Sequence, residues 1–311
     1  VNHAAVGALL ASIPSQNILG ENVLWHPTEQ AVYWIDIEAA LLLRYQLASA
    51  EYSVFNLPQR IGSFAFLQPP ESQGKPQDFP LVAAFADGFA LYNPLTQALK
   101  WLSQPEAHLA GHRFNDGRVD RQGAFWAGTM VENAAVSTTQ ASLYRLATTG
   151  QAQPVLGNLC ISNGLCWSLD GRTLYHADSP KHQIKQYPYD AASGTVGAGE
   201  LFAETPENAH PDGSTIDAAG YLWNAHWGAG KVVRYRPDGA IDLELTLPVS
   251  QPSSVAIGGP NLDLLMVTSS KLGLSDRQLA EQPLAGNLFI YQLHGIQGVP
   301  ENYCQCSKAW L

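Results

Sequence analysis

The stretch Cys160-Ile-Ser-Asn-Gly-Leu-Cys-Trp-Ser-Leu-Asp-Gly-Arg-Thr-Leu-Tyr-His-Ala-Asp178 has the grammar of a β-hairpin. An apolar strand carrying Leu165 and Trp167 runs into Asp170-Gly171, and a second strand follows from Leu174 to Ala177. Asp-Gly between two apolar runs supplies the positive φ that tight hairpin turns demand. Asn163-Gly164, at the mouth of the first strand, has no such task because the turn is made elsewhere. A polar residue recurs at the same mouth along the chain, and both fold and chemistry follow from that recurrence.

Six segments place a tyrosine in a strand-like setting: Tyr45, Tyr92, Tyr144, Tyr187, Tyr235 and Tyr291, spaced 47, 52, 43, 48 and 56 residues apart. Upstream of each lies a second apolar strand (Val32–Ile37, Leu81–Phe85, Phe125–Thr129, Leu174–Ala177, Tyr221–Ala225, Leu264–Thr268). Before those come first strands starting near Val23, Ser63, Val119, Leu165, Ser214 and Val255. Six such units predict an all-β chain, a six-bladed β-propeller spanning 1–311 as a single domain. Gln68 to Asp78 reads as a solvated loop, and 271–286 as a loop insertion in the last blade. Val6 to Ile13 is expected to add the outer strand of the last blade and close the ring, with Asn302 to Leu311 as its rival.

Composition narrows the function. The 311 residues are 46% hydrophobic and only 14% charged, with 27 Gly and 20 Pro, as many short strands and tight turns require. A formal charge of −10 without a Lys/Arg run argues against nucleic acid or an anionic membrane, since neutralising phosphate needs a basic face. No apolar run approaches the roughly eighteen residues of a membrane span, no charged-apolar-small pattern opens the given sequence, and it holds no Asn-x-Ser/Thr sequon. Cys160, Cys166, Cys304 and Cys306 match no zinc spacing and are too few to staple the chain. They read as thiols, so a cytoplasmic location is expected.

Aligned at their mouths, the first strands read Gly20-Glu21-Asn22-Val23-Leu24-Trp25, Asn115-Asp116-Gly117-Arg118-Val119, Asn163-Gly164-Leu165-Cys166-Trp167 and Asp212-Gly213-Ser214-Thr215-Ile216. Each polar residue precedes a large apolar anchor by four positions, and strand alternation puts the two on one side. First strands line the channel of a propeller, so Glu21, Asn115, Asn163 and Asp212 are expected to meet at one end. Two carboxylates and two amides are hard oxygen donors, suited to Ca²⁺, Mg²⁺ or Mn²⁺. Without a cation, Glu21 and Asp212 would repel in a poorly solvated hole. The dull reading is that Asn-Gly and Asp-Gly merely form turns, as expected for Asp87-Gly88, Asp170-Gly171 and Asp238-Gly239. Arg113 is either a structural ion-pair partner or a clamp for an oxygen-rich substrate, and His210 either orients Asp212 or is a plain loop histidine. No phosphate loop, HExxH pair or Gly-x-Ser-x-Gly elbow is present.

These motifs carry a resemblance. Gly20-Glu21 before Trp25, Arg113-Phe-Asn-Asp-Gly117 with Ala127-Gly-Thr-Met130, Ser162-Asn-Gly-Leu165 with Trp167-Ser168, and Pro211-Asp-Gly213 with Ile216-Asp217 are together similar to the SMP-30/gluconolactonase family. Its members are regucalcin-like six-bladed propellers that hydrolyse sugar lactones. The resemblance implies that Glu21, Asn163 and Asp212 bind one divalent metal, Ca²⁺ foremost, with Mn²⁺, Mg²⁺ or Zn²⁺ as alternatives. It implies Asp212 as general base, and Arg113 and Asn115 as substrate contacts. An acidic substrate contact often follows the Ala-Gly-Thr-Met run, and here Glu132 is followed by Asn133. Leu222-Trp-Asn-Ala-His-Trp-Gly228 is similar to bacterial sugar-lactonase branches. The implied reaction is metal-assisted opening of an aldonolactone to the aldonic acid. Two other readings use the same propeller: a metal-dependent aryl-ester or organophosphate hydrolase, and a calcium-binding or scaffold protein without enzymatic activity.

Overall fold

Half-buried strands broken by turn residues every few positions pair most readily with their sequence neighbours, because short loops close at low entropic cost. The computed structural model, which describes residues 5–69, 78–132 and 140–310, follows this rule in six antiparallel sheets. The innermost strands are Gly20–His26, Ile61–Phe66, His112–Val119, Ser162–Trp167, His210–Ile216 and Pro252–Gly258. Each contacts the inner strands of the blades on either side, and the last contacts the first, so the sheets form a closed six-bladed ring. All six tyrosines lie on third strands, in register with the second-strand runs read from the sequence.

Val6–Ile13 pairs with Leu288–Leu293 as the outer strand of the sixth blade, joining the first and last parts of the chain in one sheet. Asn302 to Trp310 has another task. The C-terminal segment starts beside blades five and six, where Gly298 bridges Asp217 and donates its N–H to Leu262 O at 2.7 Å. It then crosses the channel end opposite the Glu21 mouth. There Glu301 pairs with the half-buried Arg118 at 2.6 Å, Asn302 donates to Val119 O, and Cys304 bridges Leu67 of blade two. Trp310, 2% exposed, is buried in the cluster shared by blades two and three.

Trp34, Trp126, Trp167 and Trp223 are fully buried between blades, and each contributes on the order of 2–3 kcal/mol by burial. Asp120 and Asp217 tie turn to core alike. One carboxylate oxygen accepts turn N–H groups, and the other accepts the indole N–H of Trp126 or Trp223 at 3.0 Å. Ser275 caps the helix Asp276–Glu281 inside the predicted 271–286 insertion. The predicted loop Gln68 to Asp78 lies largely outside the described residues. Cys160, Cys166, Cys304 and Cys306 are free thiols.

One expectation is corrected. Simple alternation does not carry Glu21 to the side of Trp25, because every inner strand breaks register in its first half. Glu21 lies opposite Ile35 and Leu24 opposite Tyr33, so three residues on the inner strand span two on its neighbour. The same break separates Asn163 from Cys166, Phe114 from Gly117 and Pro211 from Ser214. A β-bulge adds one residue, reverses the alternation beyond it and re-aims the side chains at the break. Asn163-Gly164 is therefore a bulge and not a hairpin turn, with Gly164 at φ +63°.

Candidate metal centre

Four inner strands bring their polar mouths together. Glu21, Asn115, Asn163 and Asp212 are all buried, as are Arg113 and Asp116. The approach to each strand is held from the outer end of its hairpin. In blade one, Asp36 accepts the N–H groups of Ile18 and Leu19 at 2.7 and 3.1 Å. In blade four, Asp178 does the same for Cys160 and Ile161. The glycines following the polar residues permit close approach of neighbouring blades. A Cβ on Gly213 would meet the backbone of Ser254 at 2.8 Å.

The two amides have fixed orientations. Ser179 donates its only hydroxyl proton to Pro211 O at 2.8 Å, so it must accept from Asn163 Nδ2, also at 2.8 Å. That leaves Asn163 Oδ1 facing Asn115, whose Nδ2 donates to it at 3.1 Å and to Ser162 O at 3.0 Å. Arg113, donor only, reaches Asn115 Oδ1 at 2.9 Å. Asn163 Oδ1, accepting one proton from Asn115, retains a second lone pair.

The carboxylates are in tension. Glu21 and Asp212 lie within reach of a shared proton. Burial, first, and then the neighbouring negative charges raise the proton affinity of both above the usual carboxylate range. Asp212 Oδ1 is buried with no hydrogen-bond partner among the described residues. A buried carboxylate oxygen left orphaned beside a second carboxylate, with an amide oxygen that keeps a lone pair on the adjoining inner strand, fits a hard divalent cation. Among the described residues no cluster of three His, Cys, Asp or Glu side chains forms a metal site; the donor set here is two carboxylates and one amide.

Arg113 lies beside this set and is largely engaged within the protein. Nε pairs with Glu132 at 3.1 Å and Nη1 holds Phe114 O and Asn115 Oδ1. Glu132 in turn takes a two-pronged ion pair from Arg60, whose guanidinium also reaches Glu38. Asn133 lies outside the described residues. His210 turns Nδ1 to Ser179 O at 3.3 Å and stacks on His182, an arrangement in which Ser179 and not Asp212 is its partner.

Sequence reasoning missed two members. Asp116, inside the quoted Arg-Phe-Asn-Asp-Gly run, accepts Leu165 N–H at 2.9 Å and is raised to about 6, mostly by burial. Its acidity within that run was the available signal. Ser179 carried none, because its role depends on a contact with Pro211, 32 residues away.

Residues 19–271 match the SMP-30/Gluconolactonase/LRE-like region. The chain is 35% identical to the 6-deoxy-6-sulfogluconolactonase of Pseudomonas putida, over 89% of this chain and 92% of that one. It is 33% identical to the L-arabinolactonase of Azospirillum brasilense, over 94% and 93%. Among solved structures, a calcium-binding protein, regucalcin, from Agrobacterium tumefaciens superposes with a TM-score of 0.87 at 30% identity, covering 96% of this chain and 98% of that one.

Proposed function

Because the chain belongs to the SMP-30/gluconolactonase/LRE-like family, we propose that it hydrolyses a sugar lactone to the aldonic acid at this channel mouth. Glu21, Asn163 and Asp212 would hold one divalent cation, which when bound supplies Lewis-acid polarisation of the lactone carbonyl. The observation that carries the reading is Asp212 Oδ1, a buried carboxylate oxygen without a partner, next to Glu21.

The chain's own residues account for the remaining work. Asp212 takes the proton of the attacking water, for which it must be a carboxylate. Burial beside Glu21 opposes that form, so base function requires positive charge at the pair. Ser179 keeps the amide oxygen of Asn163 turned inward. Arg113 Nη2, which has no hydrogen bond to a described residue, would be the group that holds a ring hydroxyl. Asn115 gives both protons and one lone pair to the protein, so its share in substrate binding reduces to one acceptor site. The ion-paired chain Arg113, Glu132, Arg60 and Glu38, which starts beside the site, would offer polar groups to a polyhydroxylated ring and little to an aryl group, which favours a sugar lactone over an aryl ester.

The test is proton release from a panel of aldonolactones, using chelator-stripped protein and protein refilled with Ca²⁺, Mn²⁺, Mg²⁺ or Zn²⁺. Cation-dependent turnover of one lactone is expected, with Asp212→Asn lowering kcat by about 10²- to 10⁴-fold. Folded protein that accelerates no lactone with any cation would overturn the assignment.

A further inference from the structure

An innermost strand has a neighbour on one side only, and in three blades a backbone N–H at or just beyond the register break is accepted by a side chain from the break of another blade. Ser254 Oγ takes the N–H of Val23 at 3.3 Å, and Asn22 Oδ1 that of Phe64 at 2.8 Å. Asp116 takes the N–H of Leu165, two residues beyond Asn163. Serine and asparagine show that a neutral oxygen suffices for this brace. A carboxylate in the same role must be desolvated and set beside two others, and its charge acts on both Glu21 and Asp212. On its other side stands Arg118, locked to Glu301 of the C-terminal segment.

We propose that Asp116 is a positioning residue with two separable roles: its oxygen braces the bulge that presents Asn163, and its negative charge raises the site's affinity for a divalent cation it does not ligate. The inference rests on the cation site proposed above. Apo protein bears the repulsion among Glu21, Asp212 and Asp116; bound protein gains the attraction. Arg118 offsets part of that charge from below, and its pairing with Glu301 limits the offset.

Asp116→Asn separates the roles, because an asparagine oxygen can brace as Asn22 does while the charge is gone. Asp116→Ser, patterned on the Ser254 brace, is the second variant, and Asp116→Ala removes both. The measurements are calorimetric titration of chelator-stripped protein with Ca²⁺ at fixed ionic strength, and thermal melting of the same stripped samples. Wild type is expected to bind one Ca²⁺, and Asp116→Asn to bind it at least tenfold more weakly, with an apo melting temperature no lower than wild type. Only Asp116→Ala should lose both affinity and melting temperature. Unchanged Ca²⁺ affinity in Asp116→Asn and Asp116→Ser would overturn the charge role. Affinity lost only in step with melting temperature would overturn it equally, leaving a brace. A wild-type protein that binds no divalent cation would remove the site itself, an outcome distinct from both.

Discussion

Ser179 illustrates how much of the centre depends on one proton. Its hydroxyl commits that proton to Pro211 O, which obliges Asn163 to present Nδ2 to it and Oδ1 to Asn115. Ser179→Ala leaves the Asn163 amide free to turn over and strands a buried carbonyl. Stability should fall by about 1–2 kcal/mol in urea titration. Lactone turnover should fall at least about twofold, because half of the amide orientations would then present N–H groups, not an oxygen, to the cation. A loss of stability with unchanged turnover would remove Ser179 from the site's support. Arg113 shows the reverse case: the expectation of a substrate clamp meets a guanidinium mostly engaged in holding Asn115 and Glu132.

At the scale of the element, the decisive feature is the bulge. Alternation along an inner strand would send successive side chains to the two neighbouring blades; the added residue breaks that pattern where polar groups are needed. Gly164 has φ +63°, and a Cβ there would lie 3.1 Å from both the Ala177 methyl and Asp212 O. Gly164→Ala therefore combines left-handed strain with pressure on the backbone of Asp212. A stability loss of about 1–3 kcal/mol is expected. Turnover should fall well beyond what the folded fraction explains, measured at a temperature where the variant is fully folded. Wild-type turnover would mean that the bulge geometry does not govern the site.

Across the whole molecule, closure is achieved twice. Val6–Ile13 completes blade six as its outer strand, joining the first and last parts of the described chain in one sheet, and the C-terminal segment spans the far end of the channel through Glu301 and Arg118. The cost of such enclosure is visible in buried titratable groups. His176 and His226 are both lowered to about 4 by burial, from an ordinary 6.5, and their ring nitrogens face Ser162 and Tyr235 hydroxyls. Between pH 6.5 and 4 the unfolded chain takes up protons that the folded one refuses. Stability contributed by the neutral rings is thus complete above about pH 7 and declines as pH falls toward 4, by about 3 kcal/mol per histidine. Glu21 and Asp212, shifted upward, act in the opposite direction in stripped protein. Comparing wild type with His226→Gln isolates the histidine: their stability difference, from urea melts at pH 7.5 and pH 5, should narrow at the lower pH. A pH-independent difference would show that His226 does not resist protonation.

Tyrosines at intervals of 43 to 56 residues, each preceded by two apolar runs, determined the six blades and their strand order, because pairing between sequence neighbours is the lowest-entropy solution for short strands. The shared polar register at Glu21, Asn115, Asn163 and Asp212 was legible too, since equivalent positions of blades converge by symmetry. Which way those side chains point was decided only in the tertiary structure. Bulges leave no periodic mark in the sequence, and they reverse the alternation by which direction is read. Amide orientation, the brace from Asp116 to Leu165 and the anchor from Ser179 to Pro211 likewise join residues tens of positions apart. Such contacts arise from close packing between blades, where a buried polar atom must find its partner across the fold and not along the chain.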